Sequence, residues 1–320
     1  IDLIQKRQPH KIGINTSTHF AHADGLDHTE YQEFQNKLPA NLKNKVVSAE
    51  PLAIRWLETR TAREMQFYPQ LIRTTHQIIE EGFSEKVIVP GITTSEDVVW
   101  WFRQKIRDLG YDTWFHPTVD IQRADPNNDE AQRSFSSRPK TDVILPGDLI
   151  HVDIGITYLR LNTDIQQHAY ILRPGETSVP ESIKTAFAHG NRLQDILTMQ
   201  FKEGKTGNQV LADALAQAKN EGIVPSIYSH PIGYHGHAAG PALGMWDQQA
   251  GVPGTGEQQL RKNTAYSIEL NATSMIPEWK KTIRIMLEED AFFDGEKVRY
   301  IDGRQKEIYT IPRFDRFNQN

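Results

Sequence analysis

The chain has 320 residues, of which 38% are hydrophobic and 24% are charged, and its formal net charge is −5. An acidic chain of this kind is not typical of a general nucleic-acid binder, and no apolar run approaches the roughly 20 residues that span a bilayer. The sequence has no cysteine, which excludes disulfides, thiolate zinc sites, iron–sulfur clusters and cysteine nucleophiles. Any metal must therefore be held by nitrogen and oxygen ligands.

The N-terminal residues 1–47 carry mixed signals, with a short strand predicted at 11–15 and scattered histidines around it. The chain begins at Ile1 rather than at Met, which indicates a processed form or a fragment. We expect a cytoplasmic protein, and an exported form that has lost a signal peptide is the alternative. The sharper patterns from Ser48 onward place a domain boundary between residues 1–47 and residues 48–320.

From Ser48 onward, helices precede strands twice. Thr61 and Glu64 have the spacing of a capping box before a helix predicted at 62–82, and a second helix is predicted from Thr94 to Gly110. Strands then follow at 113–121 and from 149 onward. The pattern recurs with helices predicted at 180–203 and 208–221 and with strands at 264–273, 283–293, 297–302 and 307–311. This order predicts an α+β domain built from two similar halves.

Two aspartates are predicted to lie opposite each other across a hairpin. In the strand that starts at Leu149, Asp153 lies on the face opposite the aliphatic residues. A reversal centred on Tyr158-Leu159 pairs Asp153 with Asp164, with Cβ atoms ~4.5–5.5 Å apart. Two carboxylates at that separation repel unless a proton or a cation lies between them. The pair therefore indicates a metal site, and the alternative is that each is an ordinary turn or surface residue.

Two glutamates lie on later strands. Glu269 lies on a small and polar face of its strand, as a cavity would require. Glu289 lies in an apolar row of its strand, on the face opposite that of Glu288, and a carboxylate there is rarely buried without a partner. A salt bridge with Arg284 is the alternative interpretation of Glu289.

A histidine-rich segment adds nitrogen ligands. His230, His235 and His237 lie within eight residues, a spacing that is typical of metal binding or proton transfer, although a solvated cluster is the alternative. Together with the four carboxylates, these residues form the kind of oxygen and nitrogen donor set that suits Mn²⁺, Co²⁺, Fe²⁺ or Zn²⁺.

The order Asp, Asp, His, Glu, Glu resembles that of the pita-bread metallopeptidases, which include methionine aminopeptidase, aminopeptidase P, prolidase and creatinase. The second Asp follows the first by 11 positions and the second His follows the first by 7, as in the family. Ser267-Ile-Glu269 resembles the family's first Glu strand, and Glu289-Asp290 resembles its final Glu-Asp. His116-Pro117 resembles the substrate-binding His of the Xaa-Pro members.

The resemblance implies a pita-bread fold, with two similar αβ halves around a curved antiparallel sheet, and two divalent metal ions, with Mn favoured over Co, Zn and Fe. The metal ligands that it implies are Asp153, Asp164, His230, Glu269 and Glu289. His237 would contact the scissile carbonyl or the tetrahedral intermediate, and His116 would meet the substrate or shuttle protons.

The activity that the resemblance implies is removal of the N-terminal residue of short peptides, of the Xaa-Pro type, by a metal-bridging hydroxide. The expected partners are a small peptide and a second copy in a homodimer, without nucleic acid or membrane. Residues 1–47 would be the remnant of the family's additional N-terminal domain, before a catalytic domain at 48–320. A creatinase-like C–N hydrolase and a non-catalytic binding module on the same fold are the alternatives.

The chain departs from the family next to the implied ligands. The family's Thr-Arg pair after the second Asp is replaced by Gln166-Gln167, its Pro-Gly after the first Glu by Leu270-Asn271, and its acidic residue after the second His by Ala238. Leu287 stands two residues before Glu289, where Xaa-Pro members have Arg. Such residues orient ligands, and their change can alter affinity or activity by ~10–100-fold.

Overall fold

The computed structural model describes residues 1–134 and 137–313. The N-terminal part contains α1 (Asp2–Arg7), β1 (Ile12–Ile14), α2 (His28–Lys37), α3 (Ala40–Lys43), β2 (Val46–Ser48) and α4 (Glu50–Glu58). β1 pairs in parallel with β2, and Ile12 packs with Leu38 and Leu42 in a small core of its own. β1 is the strand predicted at 11–15. β2 crosses the boundary predicted between residues 47 and 48. The division of the chain into two domains at that point stays a prediction.

Each of the two larger halves begins with a pair of helices, as predicted. The first half consists of α5 (Glu64–Gly82), α6 (Ser95–Asp108), β3 (Thr118–Gln122), β4 (Leu149–Ile154), β5 (Thr157–Tyr158), β6 (Leu161–Asn162) and β7 (Ile165–Ile171). The second consists of α7 (Glu181–Met199), α8 (Gly207–Asn220), β8 (Val224–Ile227), β9 (His230–Ile232), β10 (Thr264–Ser267), β11 (Leu270–Ile276), β12 (Lys281–Leu287), β13 (Asp290–Phe293), β14 (Val298–Tyr300) and β15 (Tyr309–Ile311). None of the helices in the described part of the chain is long and apolar enough to cross a membrane.

The helices of the first half begin where the capping signals predict. The backbone N–H of Thr61 donates to Glu64 at 2.6 Å, and the N–H of Glu64 donates back to the Thr61 hydroxyl at 3.2 Å. Thr94 and Asp97 form the same reciprocal pair at the start of α6. These bonds satisfy N–H groups that have no partner within the helix.

The strands form three main sheets, with the orders β15-β7-β4-β3, β12-β11-β8 and β14-β13-β10-β9. Apart from the parallel pair β15 and β7, their neighbouring strands are antiparallel. The helices α5 and α6 contribute to one hydrophobic core with β4 and β7, and α7 and α8 contribute to another with β11 and β12. Each core thus packs a pair of helices against strands of the sheets.

Two strands that the sequence predicts as continuous are interrupted. The strand at 264–273 is split into β10 and β11, and the strand at 283–293 is split into β12 and β13. At each interruption the chain passes from the β12-β11-β8 sheet to the β14-β13-β10-β9 sheet, or back. Glu269 lies at the first interruption, and Glu288 and Glu289 form the second. The backbone of Glu288 also bonds that of Gln166 in β7, so all three sheets meet here.

The hairpin after β4 has a different register from the predicted one. The turn residues are Leu159 and Arg160, both with positive φ (50° and 67°), so that Thr157 pairs with Asn162. Two positive φ values match the right-handed twist of hairpin strands. Asp153 consequently lies opposite Gln166 rather than Asp164, and Asp164 precedes β7. The predicted turn was wrong by one residue because a Leu-Arg turn lacks the usual Asn-Gly signature.

Candidate metal centre

Four carboxylates and one imidazole converge where the three sheets meet. His230 Nε2 lies 3.6 Å from Asp164 Oδ2, 3.8 Å from Glu269 Oε2 and 3.6 Å from Glu288 Oε1. Asp153 contributes an oxygen within 4.8 Å of oxygens from Asp164 and Glu288. The structure thus brings together Asp153, Asp164, His230 and Glu269, four of the five ligands that the resemblance implies.

The structure places Glu288, not Glu289, in this cluster. The predicted alternation is right, since Met286 and Glu288 share one face and Leu287 and Glu289 share the other. The cavity, however, lies on the Met286 face, because Leu287 packs close to Gly190 of α7. Glu289 instead contacts His76 Nε2 at 2.7 Å on the other side.

The carboxylates of the cluster repel one another in a buried environment. Burial is the largest cause that raises the pKa of Asp153, Asp164 and Glu269 well above their ordinary values, and the neighbouring Glu288 raises each of them further. Asp164, Glu269 and Glu288 are 3%, 8% and 1% exposed, so water does little to screen this repulsion. A cation between the carboxylates would relieve it.

Two buried atoms of the cluster have the chemistry of metal ligands. His230 Nδ1 lies 3.1 Å from the carbonyl oxygen of Pro231 and donates to it, which leaves Nε2 as a free acceptor. Neither His230 Nε2 nor Asp153 Oδ1 has a hydrogen-bond partner among the residues that the structure describes. Buried acceptors of this kind are normally satisfied. The donor set of carboxylate oxygens and imidazole nitrogen therefore fits divalent cations.

His237 lies beside the cluster and lines a cavity of about 470 Å³. Its ring centroid is 4.5 Å from that of His230, and one of its ring nitrogens groups with ligand atoms of Asp164 and His230. Burial, assisted by the nearby His230, lowers the pKa of His237 to about 4. The cavity is walled by four aromatic side chains, those of Trp114, Phe115, Tyr228 and Trp246.

The structure does not bring His116 to this cavity. The His116 side chain contacts the guanidinium of Arg103 and the ring of Trp100, both on α6, and it is not among the residues that line the cavity. Partial burial and the charges of Arg103 and Arg138 lower its pKa. The role implied for His116 thus has no support from its position.

Three polar residues behind the carboxylates were not among the predicted site residues. Gln166 donates to Glu269 and Glu288, His151 contacts Gln166, and Asp120 contacts His151. Strand alternation could have indicated His151, because it lies two residues before Asp153 on the same face of β4. Asp120 could not be linked to them without the pairing of β3 with β4.

Comparison with known proteins identifies the family. The model of "Metallopeptidase family M24" matches residues 70–291, which is more than two thirds of the chain. A search of curated proteins found no match.

Solved structures similar to this chain include an X-Pro aminopeptidase from Thermotoga maritima, with 16% identity, a TM-score of 0.67 and coverage of 97% of this chain and 78% of that one. A Xaa-Pro dipeptidase from Bacillus anthracis has 17% identity, a TM-score of 0.63 and coverage of 97% and 77%. Methionine aminopeptidase from Thermotoga maritima has 17% identity, a TM-score of 0.56 and coverage of 78% and 100%. These similarities confirm the α+β pita-bread fold. Because the family model spans most of the chain, the protein belongs to metallopeptidase family M24 and is a hydrolase of the peptidase class.

Proposed function

We propose that the chain is a dinuclear metallopeptidase that removes the N-terminal residue from short peptides, with proline favoured in the second position. The observation that carries this proposal is the convergence of four carboxylates around His230, those of Asp153, Asp164, Glu269 and Glu288, which line one cavity together with His237. When bound, divalent cations would supply a Lewis acid and lower the pKa of the attacking water.

Two cation positions are supported by the way the ligand atoms group. His230, Glu269 and Glu288 form one group, and Asp153, Asp164 and Glu288 form another, with the atoms of each group within 4.8 Å of one another. These two groups share Glu288 and otherwise use different residues, so Glu288 would be available to both cations. A third group, formed by Asp164, His230 and His237, shares one residue with each of them. Mn²⁺ is the favoured ion because carboxylates dominate the donor set.

The role proposed for His237 is to stabilise charge on the substrate. Because its pKa is lowered to about 4, its imidazole is neutral near pH 7 and retains one N–H. That N–H can donate to the carbonyl oxygen of the scissile peptide bond as negative charge develops there. A neutral donor at this position does not compete electrostatically with the cations.

The cavity walls favour a flat, apolar residue in the substrate. The rings of Trp114, Phe115, Tyr228 and Trp246 line the same cavity as the carboxylates, and they can pack on a proline ring without leaving polar groups unpaired. The names of similar solved structures, an X-Pro aminopeptidase and a Xaa-Pro dipeptidase, support the same choice.

The test is a peptide panel given to metal-free and Mn²⁺-loaded protein. The panel contains Ala-Pro, Ala-Pro-Ala and Met-Ala-Ser, with creatine as a C–N substrate that is not a peptide. We expect release of N-terminal alanine from the proline peptides by the loaded wild type, and none by Asp164→Ala. Protein that holds two equivalents of Mn²⁺ but leaves every peptide intact would overturn the proposal, and creatine turnover that survives chelation would favour the creatinase-like alternative.

A further inference from the structure

The side-chain amide of Gln166 joins two carboxylates of the candidate metal centre. Its Nε2 donates to Glu269 Oε1 at 2.7 Å and to Glu288 Oε2 at 2.6 Å. The other oxygens of these carboxylates, Glu269 Oε2 and Glu288 Oε1, are the ones that lie 3.8 and 3.6 Å from His230 Nε2. Gln166 thus occupies one oxygen of each glutamate and leaves the other turned toward the centre.

The orientation of this amide is fixed from behind by His151. His151 Nε2 lies 2.9 Å from Gln166 Oε1, and His151 Nδ1 lies 2.9 Å from Asp120 Oδ2. A flipped amide would set its carbonyl oxygen against two carboxylates and its NH₂ against the imidazole. The two ring nitrogens of His151 thus face the acceptor oxygens of Gln166 and Asp120, which holds the imidazole between them.

The array is buried and anchored in the sheet. Gln166, His151 and Asp120 are 4%, 3% and 2% exposed. Asp120 lies directly opposite His151 in the pairing of β3 with β4, and Arg133 reaches Asp120 Oδ2 at 3.5 Å. Burial alone would raise the pKa of Asp120, but His151 and Arg133 lower it below its ordinary value. An ionised Asp120 therefore belongs to the folded array.

We propose that Asp120, His151 and Gln166 form a positioning relay that orients the carboxylates of Glu269 and Glu288 for metal binding. This inference rests on the metal site of the proposed function, but not on its substrate. Gln166-Gln167 replaces the Thr-Arg pair that the family has after the second Asp. The relay gives Gln166 a function at this position. In this role the three residues act through the two glutamates, and His151 and Gln166 also line the cavity.

The test measures Mn²⁺ affinity by calorimetry on the full chain after metal removal. Gln166→Met keeps the volume and removes the amide, and we expect it to weaken Mn²⁺ binding by ~10–100-fold. The matched control is Gln122→Met, since Gln122 is also buried in this sheet, and within the described residues its side chain hydrogen-bonds to the backbone of Arg284. We expect the control to bind Mn²⁺ within about twofold of wild type, because it leaves the carboxylates in place.

Two further variants keep the relay falsifiable if Gln166→Met folds poorly. Asp120→Asn and His151→Phe touch no ligand, and we expect each to weaken Mn²⁺ binding, with His151→Phe adding little to Gln166→Met because the two act in series. Folded variants that bind Mn²⁺ as wild type does would overturn the relay. The relay would also be overturned if the losses of Mn²⁺ affinity caused by Gln166→Met and His151→Phe were fully additive in the double variant. Failure of the relay leaves wild-type peptide cleavage intact, whereas failure of the proposed function leaves wild-type Mn²⁺ binding without cleavage.

Discussion

Glu288 and Glu289 are consecutive in the chain, but their carboxylates lie on opposite sides of the junction between β12 and β13. Glu288 Oε1 lies 3.6 Å from His230 Nε2 and accepts a bond from the Ser267 hydroxyl at 2.6 Å. Glu289 accepts from Gln167 Nε2 at 2.7 Å and contacts His76 Nε2 at 2.7 Å. One glutamate therefore faces the candidate metal centre, and the other contacts His76 on the opposite side.

This difference gives a prediction for two adjacent substitutions of the same kind. Glu288→Gln removes a charge shared by two ligand groups, and we expect at least about a 100-fold loss of Mn²⁺ affinity, more than for residues behind the ligands. Glu289→Gln removes the charge that faces His76, and we expect a loss of about 1–3 kcal/mol in the free energy of unfolding with Mn²⁺ binding retained. Calorimetry and urea denaturation of both variants measure this. Equal losses of affinity would contradict the placement of Glu289.

The repulsion among the buried carboxylates predicts that removal of one charge stabilises the metal-free protein. Burial, Glu288 and Asp153 raise the pKa of Asp164, so its ionised form is unfavourable in the fold. We expect Asp164→Asn to increase the free energy of unfolding by about 1 kcal/mol, which raises the melting temperature of a chain of 320 residues by about 1–2 °C. Mn²⁺ should stabilise the wild type but not the variant.

Asp148→Asn is the matched control for this experiment. Asp148 is also buried, but it accepts from Arg123 at 2.7 Å and so has a cationic partner. Burial raises the pKa of Asp148 as well, but Arg123 opposes this effect, so neutralisation of Asp148 should stabilise the metal-free protein less than that of Asp164 does. Scanning calorimetry with chelator and then with Mn²⁺ separates the two effects, and a lower melting temperature for metal-free Asp164→Asn would contradict the repulsion argument.

Much of the candidate centre could be predicted from the sequence because strand alternation is local. The period of two placed Asp153 and Glu269 on polar faces, and both side chains lie in the cluster. The same alternation placed Glu288 and Glu289 on opposite faces, but it could not show which face lines the cavity. That choice depends on α7, since Gly190 lies close to Leu287 and makes the Leu287 face the packed one.

The remaining differences also arise from contacts that are distant in sequence. His116 was assigned from a resemblance that covers only two residues, and its contacts with Trp100 and Arg103 of α6 keep it away from the cavity lining. The link between Asp120 and Gln166 requires the pairing of three strands. Periodicity within one strand contains no information about such pairings.

A buried neutral histidine predicts a loss of stability in acid. His168 is fully buried, its Nε2 accepts from the Met286 N–H at 3.0 Å, and burial followed by the charge of His151 lowers its pKa from 6.5 to about 3. Between these two values the unfolded chain binds more protons than the folded one. The contribution of His168 is thus fully present above about pH 6.5 and is lost as the pH falls, at up to about 1.4 kcal/mol per pH unit.

The comparison that isolates this contribution uses His168→Gln, whose side-chain carbonyl can still accept from the Met286 N–H. Between pH 7 and pH 5, we expect the wild type to lose about 2 kcal/mol of unfolding free energy relative to the variant. Urea denaturation in chelator measures the difference at each pH, and other titrating groups cancel in it. A difference between the two proteins that does not change with pH would mean that His168 takes up its proton as readily in the fold as in the unfolded chain.

The contrast between His237 and His116 tests which histidine serves catalysis. His237 lines the cavity and its ring lies 4.5 Å from that of His230, whereas His116 is absent from the described lining. His237→Ala removes the donor proposed for the scissile carbonyl, and we expect kcat to fall by about 100-fold or more. His116→Ala should leave kcat within about twofold, since electrostatic stabilisation requires a donor at the reacting atoms. Steady-state kinetics on an Ala-Pro peptide, with Mn²⁺ content measured in parallel, distinguishes a lost donor from a lost metal. A large loss for His116→Ala with full Mn²⁺ content would require α6 to move toward the cavity when substrate binds.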